Sequence, residues 1–368
     1  VLMRNQDNVL PLERGKKISL FGSGSAKFVY SGLGSGAIDT SKTTSLKDAL
    51  EAEGFQVNPD LYSVYEKSEA RVGKEEDPST YLDSVADSVK EYSDAAIVVI
   101  SRNGAEAQDL TEDQLSLSDA EMSLVKYAND NFDDVIVMLN TANAIEMGWS
   151  DSRFFPNIKA CMWVGYPGQE GITSIAKALT GEVNPSGRLV DTYAYDSMSA
   201  PATQIFEYGE WTNTNNEENG PKNAYTVYGE SIYIGYRYYE TRYEDYILKQ
   251  GNADATEGST TGEAWKYEDE VTYPFGYGLS YTTFEQTLKS VEVNPGSTGT
   301  AVVSVKNTGA YAGKCVVQLY VQAPYTEGGL EKASVQLLDF EKTPVLEPDE
   351  STEVTINFDP QYMASYDQ

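Results

Sequence analysis

Short runs of apolar residues alternate with amphipathic stretches through the first half of the chain. Each run has the length of a strand buried on both faces, as in a parallel sheet covered by helices. The runs are Lys17–Phe21, Ala95–Ile100, Val135–Leu139 and Ile158–Trp163. Strands in this alternation with helices predict a doubly wound α/β domain with a mainly parallel sheet over residues 1–200.

Helix termini are marked in the same half of the chain. Ser45 has the residue type of an N-cap and Gly54 that of a C-terminal stop, which predicts a helix over Ser45–Gly54. Ser118 is followed three residues later by Glu121, the pattern of a capping box at the start of a helix that continues to Asn129. A further helix is predicted up to about Thr180.

The pattern changes after residue 200. Residues 201–284 form a connecting segment rich in tyrosine, which we expect to pack on the α/β domain. Within it, residues 225–246 are densest in tyrosine, and we expect them to form a strand pair with aromatic packing. Tyrosine rings also stack on sugar rings, so a ligand-facing role for some of them is the alternative. Residues 250–268 have the composition of a surface insertion.

Residues 285–368 alternate apolar and polar positions with a period of two. The clearest segments are Thr300–Lys306, Val316–Gln322 and Thr352–Phe358. This alternation, with turn residues between the segments, predicts a small antiparallel β-sandwich. We expect this last domain to be truncated.

Composition narrows the possible partners. The net charge is −30 and the sequence pI is near 4.2, so the surface repels nucleic acid and anionic membranes but accepts a neutral partner such as a sugar. No apolar run approaches the roughly 20 residues of a membrane span. Cys161 and Cys315 stand in apolar strand-like contexts, which favours buried thiols over a disulfide.

The chain contains no histidine. Catalysis by a Ser-His-Asp or Cys-His arrangement is therefore excluded within it, and so are histidine metal ligands. Any acid/base chemistry must come from Asp, Glu, Lys or Tyr.

A polar loop after the second apolar run is the candidate place for such chemistry. Within Ile97–Glu121, Glu106 stands among small residues just after a buried strand. The carboxyl ends of strands are where α/β folds bind their ligands. The alternative is that Glu106 is one more solvated carboxylate.

Two glycine-rich loops follow the first strand. Gly22–Ser25 resembles a dinucleotide-binding turn, but Lys27 stands where the third glycine of that fingerprint belongs, so an oxidoreductase is a weak alternative. Ser31–Asp39 permits close backbone approach to another group, or serves turn geometry alone.

Six separated stretches together resemble glycoside hydrolase family 3, the β-glucosidase and β-xylosidase family, in the family's order and spacing. They are LPLERGKKISLFG (Leu10–Gly22), WVGYPGQEG (Trp163–Gly171), LTGEVNPSGRLVDTY (Leu179–Tyr193), YIGYRYYE (Tyr233–Glu240), YPFGYGLSYTTF (Tyr273–Phe284) and VKNTGAYAGKCVVQLYV (Val305–Val321). The resemblance implies the α/β sandwich domain and the fibronectin type III-like domain of such an enzyme, without its TIM-like barrel.

The resemblance also implies residue roles. Ile100–Leu110 aligns without a gap on the family's acid/base loop, which makes Glu106 the general acid/base; Ala105 and Ala107 replace the family's flanking glycines and Leu110 its arginine. The family's nucleophile is an aspartate on the barrel, and no stretch of this chain resembles its surroundings. The remaining implied sugar contacts are Ser31, Gly32, Gly34, Ser35, Arg102 and Asp109.

The implied activity is retaining hydrolysis of terminal β-linked sugars, with β-D-glucosides favoured and no cofactor or metal. The implied partners are a carbohydrate substrate, the barrel of the same polypeptide, which some members carry after these two domains, and possible copies of the chain. The chain alone is expected to be inactive. The alternative is a non-catalytic module that binds carbohydrate or a partner. The compartment is left open, although free cysteines favour the cytoplasm slightly.

Overall fold

The structure is a computed structural model, and it describes residues 1–70, 74–104, 110–205, 228–294, 296–326 and 328–365. Its largest sheet has six strands, of which the five after β1 run parallel to one another and β1 runs antiparallel to β6. These strands are β1 (Leu2–Asn5), β2 (Lys17–Phe21), β3 (Gln56–Val57), β4 (Ala95–Ser101), β5 (Val135–Asn140) and β6 (Ile158–Trp163). The four predicted buried strands are thus confirmed.

Helices cover both faces of this sheet. They are α1 (Ser23–Ala26), α2 (Leu46–Ala52), α3 (Pro59–Lys67), α4 (Ala86–Glu91), α5 (Glu112–Leu115), α6 (Asp119–Asn131) and α7 (Gly171–Leu179). Strand β4 shows why two layers are needed: Val98 packs in one core with α3, α4 and α6, while its neighbour Ile97 packs in a second core with α2 and α7. Successive side chains of a strand point to opposite faces, so a wholly apolar strand requires cover on both.

The predicted helix ends are confirmed. The Ser45 side chain accepts the N–H of Asp48 at the start of α2, and Gly54 follows that helix with a φ of +93°. Ser118 and Glu121 form the capping box of α6, each side chain accepting the backbone N–H of the other.

The strand order identifies the functional edge of the sheet. Along the sheet the order is β1-β6-β5-β4-β2-β3, so the five parallel strands, counted along the chain, lie in the order 2-1-3-4-5. The direction of winding therefore reverses between β2 and β4. In open α/β sheets, ligands bind outside the carboxyl ends of the strands at such a switch point. The segments after β2 and β4 meet there.

The tyrosine-rich segment contradicts its prediction. From Tyr236 to Leu248 it forms a helix, α8, instead of a strand pair, and it ends at Lys249 in the left-handed conformation. The Tyr236 ring stacks on Phe275 at 4.2 Å between centroids, and its hydroxyl accepts the N–H of Leu337. Tyrosine side chains can therefore stack and form hydrogen bonds from a helix as well as from a sheet. This is why the tyrosine content did not predict the correct secondary structure.

The rest of the middle region is a short strand pair and a surface segment. Strands β7 (Tyr193–Ala194) and β8 (Val271–Tyr273) pair antiparallel, and α9 (Tyr267–Glu270) precedes β8. Residues 250–268 lie mostly exposed, as predicted, although Trp265 is fully buried under the guanidinium of Arg242, 4.9 Å from the ring centre.

The C-terminal part is antiparallel, as predicted. Its strands are β9 (Phe284–Glu292), β10 (Gly299–Asn307), β11 (Val316–Gln322), β12 (Val335–Lys342) and β13 (Ser351–Phe358). They pair as one sheet in the order β13-β10-β9 and a second sheet of β11 and β12. Alternate residues of β10, including Val303 and Val305, face a small core that also contains Cys315.

Both cysteines are buried free thiols, as predicted, and burial raises the pKa of Cys161 to about 11. Within the described ranges, no helix has both the length and the apolar content to cross a bilayer.

Candidate active site

Asn140 ties together the loops at the switch-point edge. Its side chain is fully buried at the end of β5. The amide nitrogen donates to the carbonyls of Val29 at 2.8 Å and Gly165 at 2.7 Å, and Oδ1 accepts from the N–H of Val29 at 2.7 Å and the Ser101 hydroxyl at 3.1 Å. One side chain thus joins the segments that follow β2 and β6 to the end of β4.

Arg102 anchors the loop that leaves β4. The residue is 3% exposed, and its guanidinium forms an ion pair with Glu121 of α6, at 2.7 and 3.0 Å to the two carboxylate oxygens. The other donors bind backbone carbonyls of Ser101 at 2.9 Å, Gln114 at 2.8 Å and Ser116 at 2.7 Å. All five N–H donors of the guanidinium are therefore used within the protein.

This geometry bears on the predicted sugar contact of Arg102. A guanidinium with every donor occupied has none left for a sugar hydroxyl, so its position favours a role in holding the loop. Glu121 has a double task, since the same carboxylate accepts the N–H of Ser118 at 2.9 Å in the capping box. The ion pair and the helix cap therefore share one side chain.

Tyr166 holds the loop from the opposite side. Its hydroxyl donates to the carbonyl of Arg102 at 2.8 Å and accepts the N–H of Gly104 at 3.4 Å. Burial raises the pKa of this phenol above its ordinary value. Asn103 lies between these two contacts, and its buried Oδ1 has no hydrogen-bond partner among the described residues.

The far end of the loop is also fixed. Thr111 begins α5 with a capping box, in which the Gln114 side chain accepts the Thr111 N–H at 2.9 Å. Glu106 and Asp109, predicted as the acid/base and as a sugar contact, fall between these anchors in residues 105–109, outside the described residues.

The glycine-rich loop Ser31–Asp39 lies at the same edge. Its two ends contact the turn that follows β6, through Gly168 N–H to the Tyr30 carbonyl at 2.8 Å and the Gln169 amide to the Asp39 carbonyl at 3.3 Å. The loop that holds the predicted sugar contacts Ser31, Gly32, Gly34 and Ser35 and the loop after β4 therefore both bond to this turn, since Tyr166 of the turn bonds to Arg102 and Gly104.

Within the glycine-rich loop, the Ser31 hydroxyl donates to the Gly32 carbonyl and accepts the Ile38 N–H, both at 3.2 Å. A Cβ on Gly32 or Gly34 would meet nothing within 4 Å, and Gly34 has a φ of +71°. The chain's own packing therefore does not demand glycine at residue 32, and turn geometry accounts for residue 34.

The turn after β2 does not have the features of a dinucleotide site. The N–H of Ser23, which would face a phosphate, donates to the Glu75 carboxylate at 2.7 Å. A carboxylate in that place repels a phosphate, and α1 is only four residues long. Burial is the main cause of a raised pKa at Glu75. Gly22 has a φ of +91°, and a Cβ there would lie 2.5 Å from the Val99 carbonyl oxygen, so this glycine serves strand packing.

A cavity of about 720 Å³ opens beside the anchored loop. Glu75, Arg102, Asp113 and Glu121 are among the residues that line it. Lys74 also lines it and the charge of Glu121 is paired with Arg102, so Glu75 and Asp113 leave the cavity a negative balance. Negative charge disfavours the ionisation of any further carboxyl group placed nearby. The described part of the chain shows no group of three or more Cys, Asp or Glu arranged to hold a metal ion.

The fold defines a doubly wound α/β protein with an appended fibronectin-type sandwich, and comparison with known proteins gives its class. Residues 1–236 match the family model of the glycosyl hydrolase family 3 C-terminal domain, and residues 315–368 match that of the fibronectin type III-like domain. The chain belongs to glycoside hydrolase family 3.

Curated relatives are longer than this chain. It is 34% identical to a beta-glucosidase of Ruminococcus albus and 33% identical to beta-glucosidase A of Butyrivibrio fibrisolvens, over the whole chain in both cases. It covers 35% and 45% of those proteins, respectively, so it spans less than half of their length.

Comparison with solved structures gives the same result as comparison with the curated relatives. A beta-glucosidase from Paenibacillus barengoltzii superposes with a TM-score of 0.80 at 32% identity, over all of this chain and 37% of that one. Beta-glucosidase 3B from Thermotoga neapolitana, solved in complex with glucose, gives 0.77 at 31% identity, over all of this chain and 48% of that one.

Sequence reasoning missed three residues that build this edge. Asn140 carried a signal, since an amide at the end of an apolar strand must be hydrogen-bonded once buried. Glu121 was recognised only as a capping residue. Tyr166 carried no signal, because its partner, Arg102, is 64 residues away.

Proposed function

We propose that this chain is part of a retaining glycoside hydrolase and supplies its general acid/base, Glu106, from the loop after β4. The observation that carries the proposal is the anchoring of that loop at the switch point by Arg102, whose every donor is bound within the protein. Proton transfer requires a general acid held within reach of the oxygen that it protonates, and the described residues on both sides of residues 105–109 are hydrogen-bonded to the fold.

The proposed mechanism uses two carboxyl groups about 5 Å apart. Glu106 protonates the glycosidic oxygen while an aspartate attacks the anomeric carbon to form a glycosyl-enzyme. Glu106 then removes a proton from the water that releases the sugar. We place the aspartate on a TIM-like barrel outside these 368 residues, so the chain alone is inactive.

The acidic surroundings support the donor role. The first half-reaction needs Glu106 protonated near neutral pH, which neighbouring negative charge favours. Two carboxylates lining the adjacent cavity are Glu75 and Asp113, and the net charge of the chain is −30. The same charge favours a neutral substrate.

The proposed substrates are terminal β-D-glucosides. The relatives named above are called beta-glucosidases, whereas a protein of Bifidobacterium breve that is 27% identical is called an exo-alpha-(1->6)-L-arabinopyranosidase. We assign the Ser31–Asp39 loop to the entrance of the site, with Ser31, Gly32, Gly34, Ser35 and Asp109 as sugar contacts. Arg102 acts as a positioning residue.

We retain the division into residues 1–200, 201–284 and 285–368 as part of the proposal. The middle segment bonds to both neighbours: β8 pairs with β7, and Thr241 of α8 accepts the Ser334 N–H next to β12 at 2.9 Å.

The test is Glu106→Gln in the complete enzyme, with Glu112→Gln as the control, since Glu112 is an exposed carboxylate on α5. We expect kcat/KM for cellobiose to fall about 100- to 10,000-fold, the usual contribution of acid/base catalysis. 2,4-Dinitrophenyl glucoside has a leaving group that needs no proton, so its glycosylation step should be far less affected, and azide should accelerate turnover. Normal rates on both substrates would disprove the assignment.

The second candidate is a non-catalytic carbohydrate-binding module. The substitution of the family's flanking glycines by Ala105 and Ala107 favours it, since alanine stiffens the loop. A complete protein that binds cellobiose but does not hydrolyse it would support this candidate over the first.

A further inference from the structure

A groove lies between α8 and the connection from β11 to β12. It encloses about 550 Å³, within the size range of small-molecule sites. Its lining includes Tyr233, Glu244 and Asp245 on one side and Gln322, Tyr325 and Glu331 on the other. It shares no lining residue with the cavity beside the Arg102 loop.

The groove continues around the end of α8. A second cavity of about 340 Å³ shares Tyr233, Asp245 and Gln250 with the first and extends to Arg242 and Asn252. The two cavities share lining residues and therefore adjoin, which leaves room for a ligand of more than one small unit.

Two carboxylates in the groove are held in place and still have acceptor capacity. The Tyr233 hydroxyl donates to Glu331 at 2.5 Å, and the Gln322 amide donates to Glu244 at 2.6 Å. A carboxylate can accept more than one hydrogen bond at each oxygen, so each retains sites for hydroxyl donors. Asp245 lines the same groove, and its pKa is raised first by burial and then by the charges of Glu244 and Glu331.

Ser334 is the observation that points to a ligand. It is 8% exposed and lines the groove, and its hydroxyl has no hydrogen-bond partner among the described residues. Its backbone is fully engaged, because its N–H donates to Thr241 and its carbonyl accepts from Ala323, both at 2.9 Å. An unpaired buried hydroxyl costs free energy, which a ligand hydroxyl can recover.

We propose that this groove binds a neutral oligosaccharide. Aromatic rings beside carboxylates and amides match the apolar faces and hydroxyl edges of sugars, and Tyr325, 45% exposed, offers a ring at the mouth. The groove is lined by three carboxylates and one lysine, Lys332, and the chain has a net charge of −30. This excess of negative charge repels an anionic ligand.

The site would hold a glycan chain on the same polypeptide that hydrolyses its end. This extends the proposed function but does not depend on Glu106, because binding is measured without turnover.

The test is isothermal titration of the full 368-residue chain with cellotetraose, laminaritetraose and xylotetraose, and with anionic tetragalacturonate. We expect at least one neutral tetrasaccharide to bind, little change with added salt, and no binding of tetragalacturonate. Tyr325→Ala should weaken binding about three- to ten-fold through lost stacking. Ser334→Ala should weaken binding without lowering the unfolding midpoint, since the lost hydroxyl had no partner.

The matched control is Tyr362→Ala, which removes a tyrosine that is 65% exposed and does not line the groove. Four results would each overturn the proposal. The first is that no neutral tetrasaccharide binds up to about 10 mM. The second is that Tyr325→Ala binds as tightly as the parent chain, and the third is that Ser31→Ala, and not Tyr325→Ala, abolishes binding. The fourth is that the chain forms a stable dimer that Tyr325→Ala converts to a monomer.

Discussion

Removing one partner of the Arg102–Glu121 ion pair should destabilise the α/β domain severely. The two side chains are 3% and 5% exposed, so neither charge is solvated by water. Glu121→Gln keeps the size of the side chain but removes its charge, and it turns an amide N–H₂ toward the guanidinium. We expect a loss of about 3–5 kcal/mol, as found when one member of a buried pair is deleted.

The free-energy cost of breaking the ion pair can be measured separately from the cost of losing the helix cap. Glu121 also accepts the Ser118 N–H, and Ser118→Ala removes the reciprocal half of that capping box. This control should cost only about 1 kcal/mol. The double substitution Arg102→Met with Glu121→Leu leaves no buried charge, so it should be less damaging than the sum of the two single changes.

The assay is urea unfolding at pH 7, followed by circular dichroism and by fluorescence to check that the transitions coincide. A loss of this size corresponds to a lower midpoint by on the order of 1 M urea. If Glu121→Gln unfolded within about 1 kcal/mol of the parent, the buried pair would not be what holds the β4 loop.

Further predictions concern the same edge. Gly22→Ala should lower the free energy of unfolding by about 2 kcal/mol or more, because residue 22 has a φ of +91° and a Cβ there would lie 2.5 Å from the Val99 carbonyl oxygen. The shift in the urea midpoint measures this loss. Asn140→Leu leaves the partners of four hydrogen bonds unpaired and should cost at least about 3 kcal/mol, with faster amide exchange at Val29. The pKa of Glu75 in the folded state lies above its ordinary value of 4.5, so the folded state binds this proton more tightly than the unfolded state does. The free energy of unfolding therefore falls as the pH rises above 4.5. Glu75→Gln should reduce this loss between pH 4.5 and pH 7, which thermal unfolding at the two pH values can test against the exposed-site control Glu69→Gln.

The sequence alone determined the parallel strands, the capped helices and the antiparallel end of the chain. These features follow from local rules, since a wholly apolar run must be covered on both faces and a cap acts within one helical turn. The motifs also identified the family, which the comparisons confirmed for residues 1–236. The tyrosine-rich segment failed under the same rules, because tyrosine packs well in either a helix or a strand.

Only the tertiary structure decided what surrounds the candidate loop. Arg102 meets Glu121 across 19 residues, and Asn140 reaches Val29 across 111. No periodicity encodes such pairs, because they arise when separate strands end at one edge of a sheet. The sequence could therefore name Arg102 as a candidate sugar contact, and only its five bonds within the fold show that it holds the loop.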